Sequence, residues 1–358
     1  MTVDFVSIER VREIAAGIGL ARFIRSLATE IEADYRRWPA FDKSPRHAMH
    51  SRVGVIELMP ISDGELYSFK YVNGHPKNTS EGLLTVTAFG VLASVNTGYP
   101  LMLSELTLTT ALRTAAMSAL AARYLSRPDS RCMALIGNGA QSEFQSIAFH
   151  DQLGIKELRL YDVDPEATTK LERNLATMRL RGLEVVRCAS VAEAVRGADI
   201  VTTVTADKRN ATILTPEMIE PGMHLNAVGG DCPGKTELHR DILLRPDARV
   251  VVEFEPQSRV EGEVQQLDPD FPVIEFHKLA SGSVRGRRRK REVTIFDSVG
   301  FALEDFTALR HLYQLNRELR GEHESIDIVP TLPDPKNLYS LLAGPRSTAR
   351  PQPVRASA

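Results

Sequence analysis

Residues 228–238, VGGDCPGKTEL, place an aspartate, a cysteine and a lysine in a loop rich in glycine and proline. Asp231 can transfer protons as a general acid or base. Cys232 is a potential nucleophile, but no histidine–cysteine arrangement is visible nearby, so we favour Asp231 as the reactive group. The alternative for Asp231 is a structural role, because aspartate is common in turns of this composition.

A second group of charged residues lies in apolar surroundings nearer the N-terminus: Arg46, Glu57, Lys70 and Arg113. Glu57 and Lys70 interrupt apolar strand patterns, and Arg113 interrupts an alanine-rich helix. Charges in such places need a partner or a ligand. Three cations and one acid suit an amino acid, since cations bind its carboxylate and the acid binds its ammonium group. The alternative is a structural ion pair between Glu57 and Lys70.

The segment LIGNGAQSEF (135–144) is a glycine turn between an apolar strand and a helix. Gly137 and Gly139 are followed by Ser142, where the usual dinucleotide fingerprint has a third glycine. Backbone amides at the start of such a helix can bind a pyrophosphate. Asp162 ends the next strand, 25 residues after Gly137, close to the about 20 expected for the acid that binds the adenosine ribose. The alternative is a chance glycine turn.

The residues around the later strand ends extend this interpretation. No arginine follows Asp162 directly, and the acidic Asp164 would repel a 2′-phosphate, which favours NAD over NADP. Thr203 and Thr205 end a further strand and can contact the cofactor, although threonine also favours strands for its own sake. Gly229 would let the backbone pass close to the nicotinamide ring.

The pattern of elements predicts how these groups are positioned. Residues 1–35 and 107–126 have helical spacing, and residues 51–105 contain short runs rich in β-branched and aromatic residues. From 131 to about 300, strands and helices alternate at short spacing, as in a parallel sheet. We therefore predict an α/β fold, with a Rossmann-type parallel sheet domain at 126–302 and an α+β domain at 1–125.

The C-terminal part of the chain divides into two predicted segments. A long helix beginning near residue 303 has an apolar face, and we expect residues 303–343 to complete the N-terminal domain. Residues 344–358 have the proline, serine and arginine content of a flexible tail.

Composition excludes several classes of protein. The net charge of −2 over 358 residues gives no global attraction to nucleic acid or membrane. No window approaches the about 18 apolar residues of a spanning helix, and the N-terminus is not a signal peptide, so we expect a cytoplasmic protein. Cys132, Cys188 and Cys232 predict neither a disulfide framework nor a metal site. The basic run 285–292 is read as a solvated loop, with phosphate or RNA binding as the alternative.

Several motifs together resemble the ornithine cyclodeaminase/μ-crystallin family. They are GHPKNT, SELTLTTALRTAA, IGNGAQSEFQ, VTTVTADK, NAVGGDCPGKTEL and DSVGFALED, and the resemblance runs from about residue 30 to 310. It implies a homodimer with an NAD-binding Rossmann domain and a substrate-binding domain that also dimerises. It also implies conversion of L-ornithine to L-proline and ammonia, with NAD reduced and reoxidised within one turnover.

The resemblance assigns roles residue by residue. It implies a clamp on the substrate carboxylate at Arg46, Lys70 and Arg113, an acid near the substrate amine at Glu57, and a catalytic acid/base at Asp231. Val299 would touch the substrate. The cofactor contacts it implies are Thr85, Arg113, Gly137, Gly139, Ala140, Gln141, Asp162, Thr205, Val228, Gly229, Gly230, Lys235 and Ser298.

Two other functions fit the same residues. One is a sibling activity: an amino acid dehydrogenase, a ketimine reductase or a lysine cyclodeaminase. Accumulation of NADH would distinguish a dehydrogenase from a cyclodeaminase. The other is a non-catalytic nicotinamide-dependent binding protein, which the presence of both Asp231 and Lys70 disfavours. One methylene is worth only about 1–3 kcal/mol in a pocket, so the sequence leaves ornithine and its homologues open.

Overall fold

Two sheets organise the chain in this computed structural model, which describes residues 2–178, 180–206, 212–319 and 324–343. The predicted flexible tail, 344–358, lies outside the described residues. Strands of the first sheet are mostly antiparallel, and those of the second are parallel. The predicted α/β fold class is confirmed.

The first sheet has the strand order β16-β1-β7-β6-β5-β4-β2, with β3 also paired to β4. Alternate residues of β4 and β5 are buried, because one face of the sheet packs on helices and the other does not. The strands are β1 (Val3–Val6), β2 (Asp42–Lys43), β3 (His47–His50), β4 (Val55–Ser62), β5 (Leu66–Gly74), β6 (Ala88–Ser94), β7 (Pro100–Glu105) and β16 (Glu324–Ile326).

The second sheet has the order β10-β9-β8-β11-β12-β15-β13-β14. Its central strands β8, β11, β12 and β15 are buried at every residue, as expected for a sheet covered on both faces. The strands are β8 (Cys132–Ile136), β9 (Glu157–Tyr161), β10 (Glu184–Arg187), β11 (Ile200–Thr203), β12 (His224–Ala227), β13 (Ala248–Val252), β14 (Ile274–Glu275) and β15 (Val293–Asp297).

Helices cover both sheets and join them. The alanine-rich α3 is buried on nearly every side because it packs against α2, α4 and α10 and against strands of both sheets. The α-helices are α1 (Ile8–Ile18), α2 (Leu20–Arg36), α3 (Thr107–Leu125), α4 (Ser142–Leu153), α5 (Pro165–Met178), α6 (Val191–Val195), α7 (Arg240–Leu243), α8 (Glu255–Glu261), α9 (Phe276–Ala280) and α10 (Ala302–Glu318). Short 3₁₀ helices are at Trp38–Ala40, Pro76–Glu81, Pro216–Met218, Glu263–Gln266 and Leu338–Leu341.

The C-terminal segment returns to the first sheet. Helix α10 packs on α2, α3 and strands β4 to β6, and β16 pairs antiparallel with β1. This is where the apolar face of the predicted helix near residue 303 was expected to pack. The exact domain boundaries stay a prediction.

The strand order of the parallel sheet reverses between β8 and β11, because the chain moves outward through β9 and β10 before it returns. Ligands of such sheets bind at the carboxyl ends of the strands beside this reversal. The predicted cofactor residues follow those ends: Gly137 after β8, Asp162 after β9, Thr205 after β11, Val228 after β12 and Ser298 after β15.

Candidate active site

Lys70 and Arg113 share a buried carboxylate beneath the antiparallel sheet. Lys70 Nζ lies 2.7 Å from Asp305 Oδ2, and Arg113 Nε donates to Asp305 Oδ1 at 3.1 Å. Arg113 Nη1 also donates to Glu304 Oε2 at 2.8 Å. Both acids lie in the first turn of α10, where the helix dipole favours negative charge.

Burial changes the charges of this cluster. Burial, and then the charge of Arg113, lower the pKa of Lys70 to about 8, although Asp305 opposes the shift. Burial, and then the nearby Glu253, hold the pKa of Glu304 well above its usual range. Burial likewise raises the pKa of Glu253. Because burial favours the protonated forms of Glu304 and Glu253, it reduces the negative charge that these two acids present to Lys70 and Arg113.

Arg46, between β2 and β3, joins a second cluster. Its Nη1 donates to Glu57 Oε2 at 2.9 Å, and its Nε lies 3.0 Å from Glu261 Oε2 at the end of α8. Its Nη2 donates to the carbonyl oxygens of Val299 at 2.7 Å and Gly300 at 2.6 Å. Burial opposes the charged form of Arg46, but Glu57, Glu261 and Asp231 outweigh it and raise its pKa.

These partners correct one alternative drawn from the sequence. Glu57 and Lys70 do not form the ion pair considered there: Glu57 pairs with Arg46, and Lys70 pairs with Asp305. The two side chains point into the buried face on neighbouring strands, but each finds a partner from outside the sheet.

The turn after β15 brings the two clusters together. Ser298 Oγ and the amides of Val299 and Gly300 donate to the buried Glu253, at 2.7, 3.0 and 2.7 Å. Gly300 has a φ of 75°, and a Cβ there would lie 2.7 Å from Arg113 Nη1. The turn therefore touches Arg113 through Gly300 and Arg46 through two carbonyls.

Asp231 lies on the loop after β12, with its side chain 54% exposed and its Oδ1 3.5 Å from Lys235 Nζ. Lys235 is buried and donates to the carbonyl of Thr205 at 2.9 Å. The charge of Asp231 acts on both Arg46 and Glu261 and raises their pKa values. Asp231, the predicted acid/base, therefore acts electrostatically on the second cluster, from a loop that carries neither Glu57 nor Glu261.

Three buried carboxylates, those of Asp297, Glu263 and Glu237, hold the loop after β12. The first two each accept from the backbone amide of the next acid in this series. Asp297 accepts from the amides of Glu263 and Val264, at 2.8 and 3.1 Å. Glu263 accepts from the amides of Glu237 and Leu238, at 2.7 and 3.0 Å.

Glu237 completes the series at the loops predicted to bind the cofactor. Its Oε1 accepts from Thr205 N at 2.9 Å and Thr205 Oγ1 at 2.5 Å, and its Oε2 accepts from Gly229 N at 2.9 Å. A Cβ on Gly229 would lie 2.1 Å from Glu237 Oε1. A side chain at 229 would therefore displace the Glu237 carboxylate from the hydrogen bonds that it accepts.

The glycine turn after β8 fits a dinucleotide. Gly137 has a φ of 97°, and a Cβ there would lie 2.7 Å from the carbonyl of Val204, so only glycine allows β8 and β11 to approach so closely. Gly139 faces open space at the start of α4. Asp162 Oδ2 accepts from Asn138 N at 2.5 Å, which fixes the acid beside the turn.

Two buried side-chain oxygens near this turn could form hydrogen bonds with a ligand. Among the described residues, Thr203 Oγ1 and Gln141 Oε1 have no hydrogen-bond partner. Ala140 is exposed beside Gln141. Thr85 is placed differently: it precedes β6, and its carbonyl accepts from His75 N at 2.8 Å. Its predicted contact with the cofactor stays a prediction.

The basic run 285–292 is only partly the solvated loop expected. Arg287 donates to the carbonyls of Leu125 and Met223, at 2.7 and 3.0 Å, and to Thr294 Oγ1 at 2.9 Å. Its neighbours Arg288, Arg289 and Lys290 are exposed. Arg287 therefore joins the carboxyl end of α3 to the amino ends of strands β12 and β15 in the parallel sheet.

The sequence also raised expectations about metal sites, disulfides and membrane-spanning helices. In the described part of the chain, no group of three or more histidine, cysteine or acidic residues could hold a metal ion. No disulfide joins the three cysteines there, and Cys232 is buried. The described helices include none that is long and apolar enough to cross a membrane.

Sequence reasoning found the cations and glycines of the site but missed most of its acids. Glu253, Glu261, Glu304 and Asp305 were not selected. The pair Glu304–Asp305 does sit in the motif DSVGFALED, so a search for partners of Lys70 and Arg113 among motif residues could have found it.

Comparisons with known proteins agree with this architecture. Residues 9–319 match the model of the ornithine cyclodeaminase/mu-crystallin family. The ornithine cyclodeaminase of Agrobacterium fabrum (strain C58) is 58% identical over 341 residues, which cover 95% of this chain and 94% of that protein.

Two solved structures share the fold. A lysine cyclodeaminase, studied for recognition of L-lysine, L-ornithine and L-2,4-diaminobutyric acid, has a TM-score of 0.87 at 29% identity, covering 95% of this chain and 100% of its own. An archaeal alanine dehydrogenase dimer with bound NAD has a TM-score of 0.82 at 28% identity, covering 92% and 100%. The chain belongs to the ornithine cyclodeaminase/μ-crystallin family.

Proposed function

We propose that this protein converts L-ornithine to L-proline and ammonia, with NAD reduced and reoxidised within one turnover. The observation that carries the proposal is the presence of two buried cations, Lys70 and Arg113, on one side of Arg46 and of three acids, Glu57, Glu261 and Asp231, around it. An amino acid with a second ammonium group matches both signs of charge. The relative with 58% identity supports the same activity.

The substrate carboxylate would bind to Lys70 and Arg113, with Arg46 between them and the acids. All three guanidinium nitrogens of Arg46 already contact protein oxygens. Part of the role of Arg46 is therefore to fix the turn at Val299. To bind the substrate as well, Arg46 would have to share its nitrogens between the substrate and these protein oxygens. The proposed substrate contact at Val299 fits a residue whose backbone is held by both Arg46 and Glu253.

NAD fits the carboxyl edge of the parallel sheet. The open backbone at Gly139, the acid at Asp162 and the unpartnered oxygens of Gln141 and Thr203 among the described residues suit its pyrophosphate, ribose and amide groups. Bound there, NAD would supply the redox chemistry of the reaction, which is oxidation at Cα of the amino acid and later reduction at the same carbon.

The protein's own groups then manage protons and geometry. Asp231, whose side chain is exposed on the loop after β12, accepts a proton as the distal amine attacks the oxidised Cα. It returns a proton to the leaving nitrogen as ammonia departs. Glu57, hydrogen-bonded to Arg46, stays near the α-amino group. Holding both ends of the substrate makes ring closure effectively unimolecular, which contributes a large rate factor.

The test is ammonia release from L-ornithine with a catalytic amount of NAD, with NADH absorbance followed in the same cuvette. Ammonia and proline in equal amounts, with NADH at or below the enzyme concentration, are expected. NADH that rises in step with ammonia would instead identify an amino acid dehydrogenase. L-lysine in parallel would identify a lysine cyclodeaminase if it turned over faster.

A homodimer is part of the proposal. The outer face of the antiparallel sheet exposes an apolar row in which Leu58, Tyr71 and Phe89 lie opposite one another, with the Tyr71 and Phe89 rings stacked at 5.0 Å. Met49, on the adjacent β3, is 77% exposed. A continuous apolar face of this kind favours burial against a second copy. Light scattering of the purified protein should give a dimer, and Leu58→Lys with Phe89→Lys should give a monomer.

A cytoplasmic location and a role in forming proline from ornithine complete the proposal. Both depend on the proposed activity, in which tightly held NAD is reduced and reoxidised within the catalytic cycle. Fractionation of cells that produce the tagged protein would test the first. Growth of a proline-requiring strain on ornithine, with and without the gene, would test the second.

A further inference from the structure

We infer that Glu261 binds the distal ammonium group of the substrate and so selects diamino acids over monoamino acids. The inference rests on the proposed function, because it names the chemistry of one end of that substrate. Glu261 ends α8 and is only 4% exposed. It stands beside Arg46, with Glu57 and Asp231 acting on it electrostatically from two other elements.

A purely structural role does not account for Glu261. Arg46 already has a hydrogen-bonded carboxylate in Glu57 and two backbone carbonyls on Nη2. A second buried carboxylate beside one guanidinium group is costly unless another cation compensates it. When all are ionised, Glu57, Glu261 and Asp231 carry three negative charges against the two positive charges of Arg46 and Lys235. One positive charge is missing from this balance, and either a proton on Glu261 or a bound cation can supply it.

Hydrogen-bonding capacity points the same way. Among the described residues, Glu57 Oε1 and Glu261 Oε2 are buried and accept no hydrogen bond, although Glu261 Oε2 lies 3.0 Å from Arg46 Nε in an ion pair. A small rotation of Arg46 would satisfy Glu261 through Nε, but it would leave Glu57 Oε1 without a donor. An ammonium group brings three donors and one positive charge, and supplies what the cluster lacks. Glu57 would then serve the α-amino end and Glu261 the distal end.

The backbone around Glu261 is rigidly held. A Cβ on the next residue, Gly262, would lie 2.5 Å from Asp297 Oδ2, and the amides of Glu263 and Val264 both donate to Asp297. The position of Glu261 is therefore set by the buried end of β15. A fixed carboxylate can discriminate between amines at different distances from the carboxylate clamp.

The titration of Glu261 gives a second readout. Burial raises its pKa to about 7, with Glu57 and Asp231 adding to the rise and Arg46 opposing it. Glu261 is thus partly protonated at neutral pH and must lose its proton to bind an ammonium group. Affinity for a diamino acid should therefore increase as pH rises through about 7, while affinity for a monoamino acid should not.

The experiment measures equilibrium binding to the protein saturated with NADH, which cannot start the oxidation. The ligands are L-ornithine and L-norvaline, which has the same carbon chain without the distal amine. Wild-type protein should prefer ornithine. Glu261→Gln should weaken ornithine binding about 10- to 100-fold and leave norvaline binding within about twofold. Glu255→Gln, on the same helix but 41% exposed, is the matched control and should change neither.

The outcomes separate the inference from the proposed function. Equal loss of both ligands in Glu261→Gln, or no loss of ornithine, would overturn the role of Glu261. If that variant does not fold, the pH dependence in wild-type protein decides: a flat ornithine affinity from pH 6 to 8 overturns the inference. Wild-type protein that binds ornithine through Glu261 but releases no ammonia would contradict the proposed function alone.

Discussion

The loops of the parallel sheet and the strands of the antiparallel sheet use buried acids in opposite ways. On the parallel sheet, Glu237 and Asp297 accept from backbone amides and hold loops in place. On the antiparallel sheet, Glu57 pairs with the side chain of Arg46, and Lys70 finds Asp305 on α10. Acids of the first kind hold the backbone of loops in place, and acids of the second kind hold charged side chains in place.

The difference explains where reactive groups can be placed. A buried carboxylate that already accepts two or three hydrogen bonds from loops, as Asp297 and Glu237 do, has little accepting capacity left for a substrate, so it sets geometry without taking part in chemistry. A carboxylate paired with one cation retains accepting capacity. Asp231 stands on a loop held by Glu237 but is itself 54% exposed. The four predictions that follow test this division between acids that hold backbone and groups that face the substrate.

Asp231→Asn should have the largest effect on catalysis. We expect kcat to fall about 10²- to 10⁴-fold, because asparagine cannot transfer the proton. The free energy of unfolding and the affinity for NAD should be unchanged, since Asp231 holds no backbone amide among the described contacts. Asp241→Asn, at a side chain that is 61% exposed on the short helix α7, is the control. A matching loss of stability in Asp231→Asn would remove the distinction between the two kinds of acid.

Glu237→Ala should act on the fold and the cofactor first. It leaves Thr205 N, Thr205 Oγ1 and Gly229 N without their acceptor. We expect the free energy of unfolding to fall by about 2–5 kcal/mol and the Kd for NAD to rise at least about tenfold. Chemical denaturation and NAD titration would measure this. Lower kcat with unchanged NAD affinity would mean that Glu237 acts on the substrate instead.

Lys70→Met should weaken substrate binding more than it weakens the fold. Asp305 keeps its hydrogen bond to Arg113, so the loss of stability should stay within about 1–3 kcal/mol. The KM for ornithine should rise about 10- to 100-fold, because the carboxylate loses one charged donor. Steady-state kinetics with ornithine gives the answer. An unchanged KM would place Lys70 among the purely structural ion pairs.

Asp297→Asn should have the smallest effect on catalysis, and its effect should appear in the pH dependence of stability. Burial raises the pKa of Asp297 to about 7, with the amides of Glu263 and Val264 opposing the rise. Between pH 4 and 7 the unfolded chain is ionised there while the folded protein keeps its proton. Wild-type stability therefore loses up to about 1.4 kcal/mol per pH unit from this group, and the variant does not.

The measurement is the difference in unfolding free energy between variant and wild type. It should shift in favour of Asp297→Asn as pH rises from 4 to 7, and stay constant above pH 8. The variant is less stable overall because asparagine cannot accept from both amides, so only the slope is compared. Equal slopes would show that Asp297 is ionised in the folded protein throughout this range.

The sequence by itself determined the elements and the groups that local chemistry reveals. Strand–helix alternation predicted the parallel sheet because its period is local. Gly137 was identifiable because a glycine turn between an apolar strand and a helix is typical of dinucleotide-binding sites. Charges inside apolar patterns marked Glu57, Lys70 and Arg113 because burial of a lone charge is unfavourable.

Only the tertiary structure decided which charges meet. Lys70 finds Asp305 more than 200 residues away along the chain, and Arg46 finds Glu261 only because α8 and β4 converge on the turn at Val299. The local pattern around an acid does not encode such pairings, since each acid reads as an ordinary helical residue. Whether an acid holds backbone, as Glu237 does, or faces a ligand, as we infer for Glu261, depends on the donors that the fold brings within 3 Å of it.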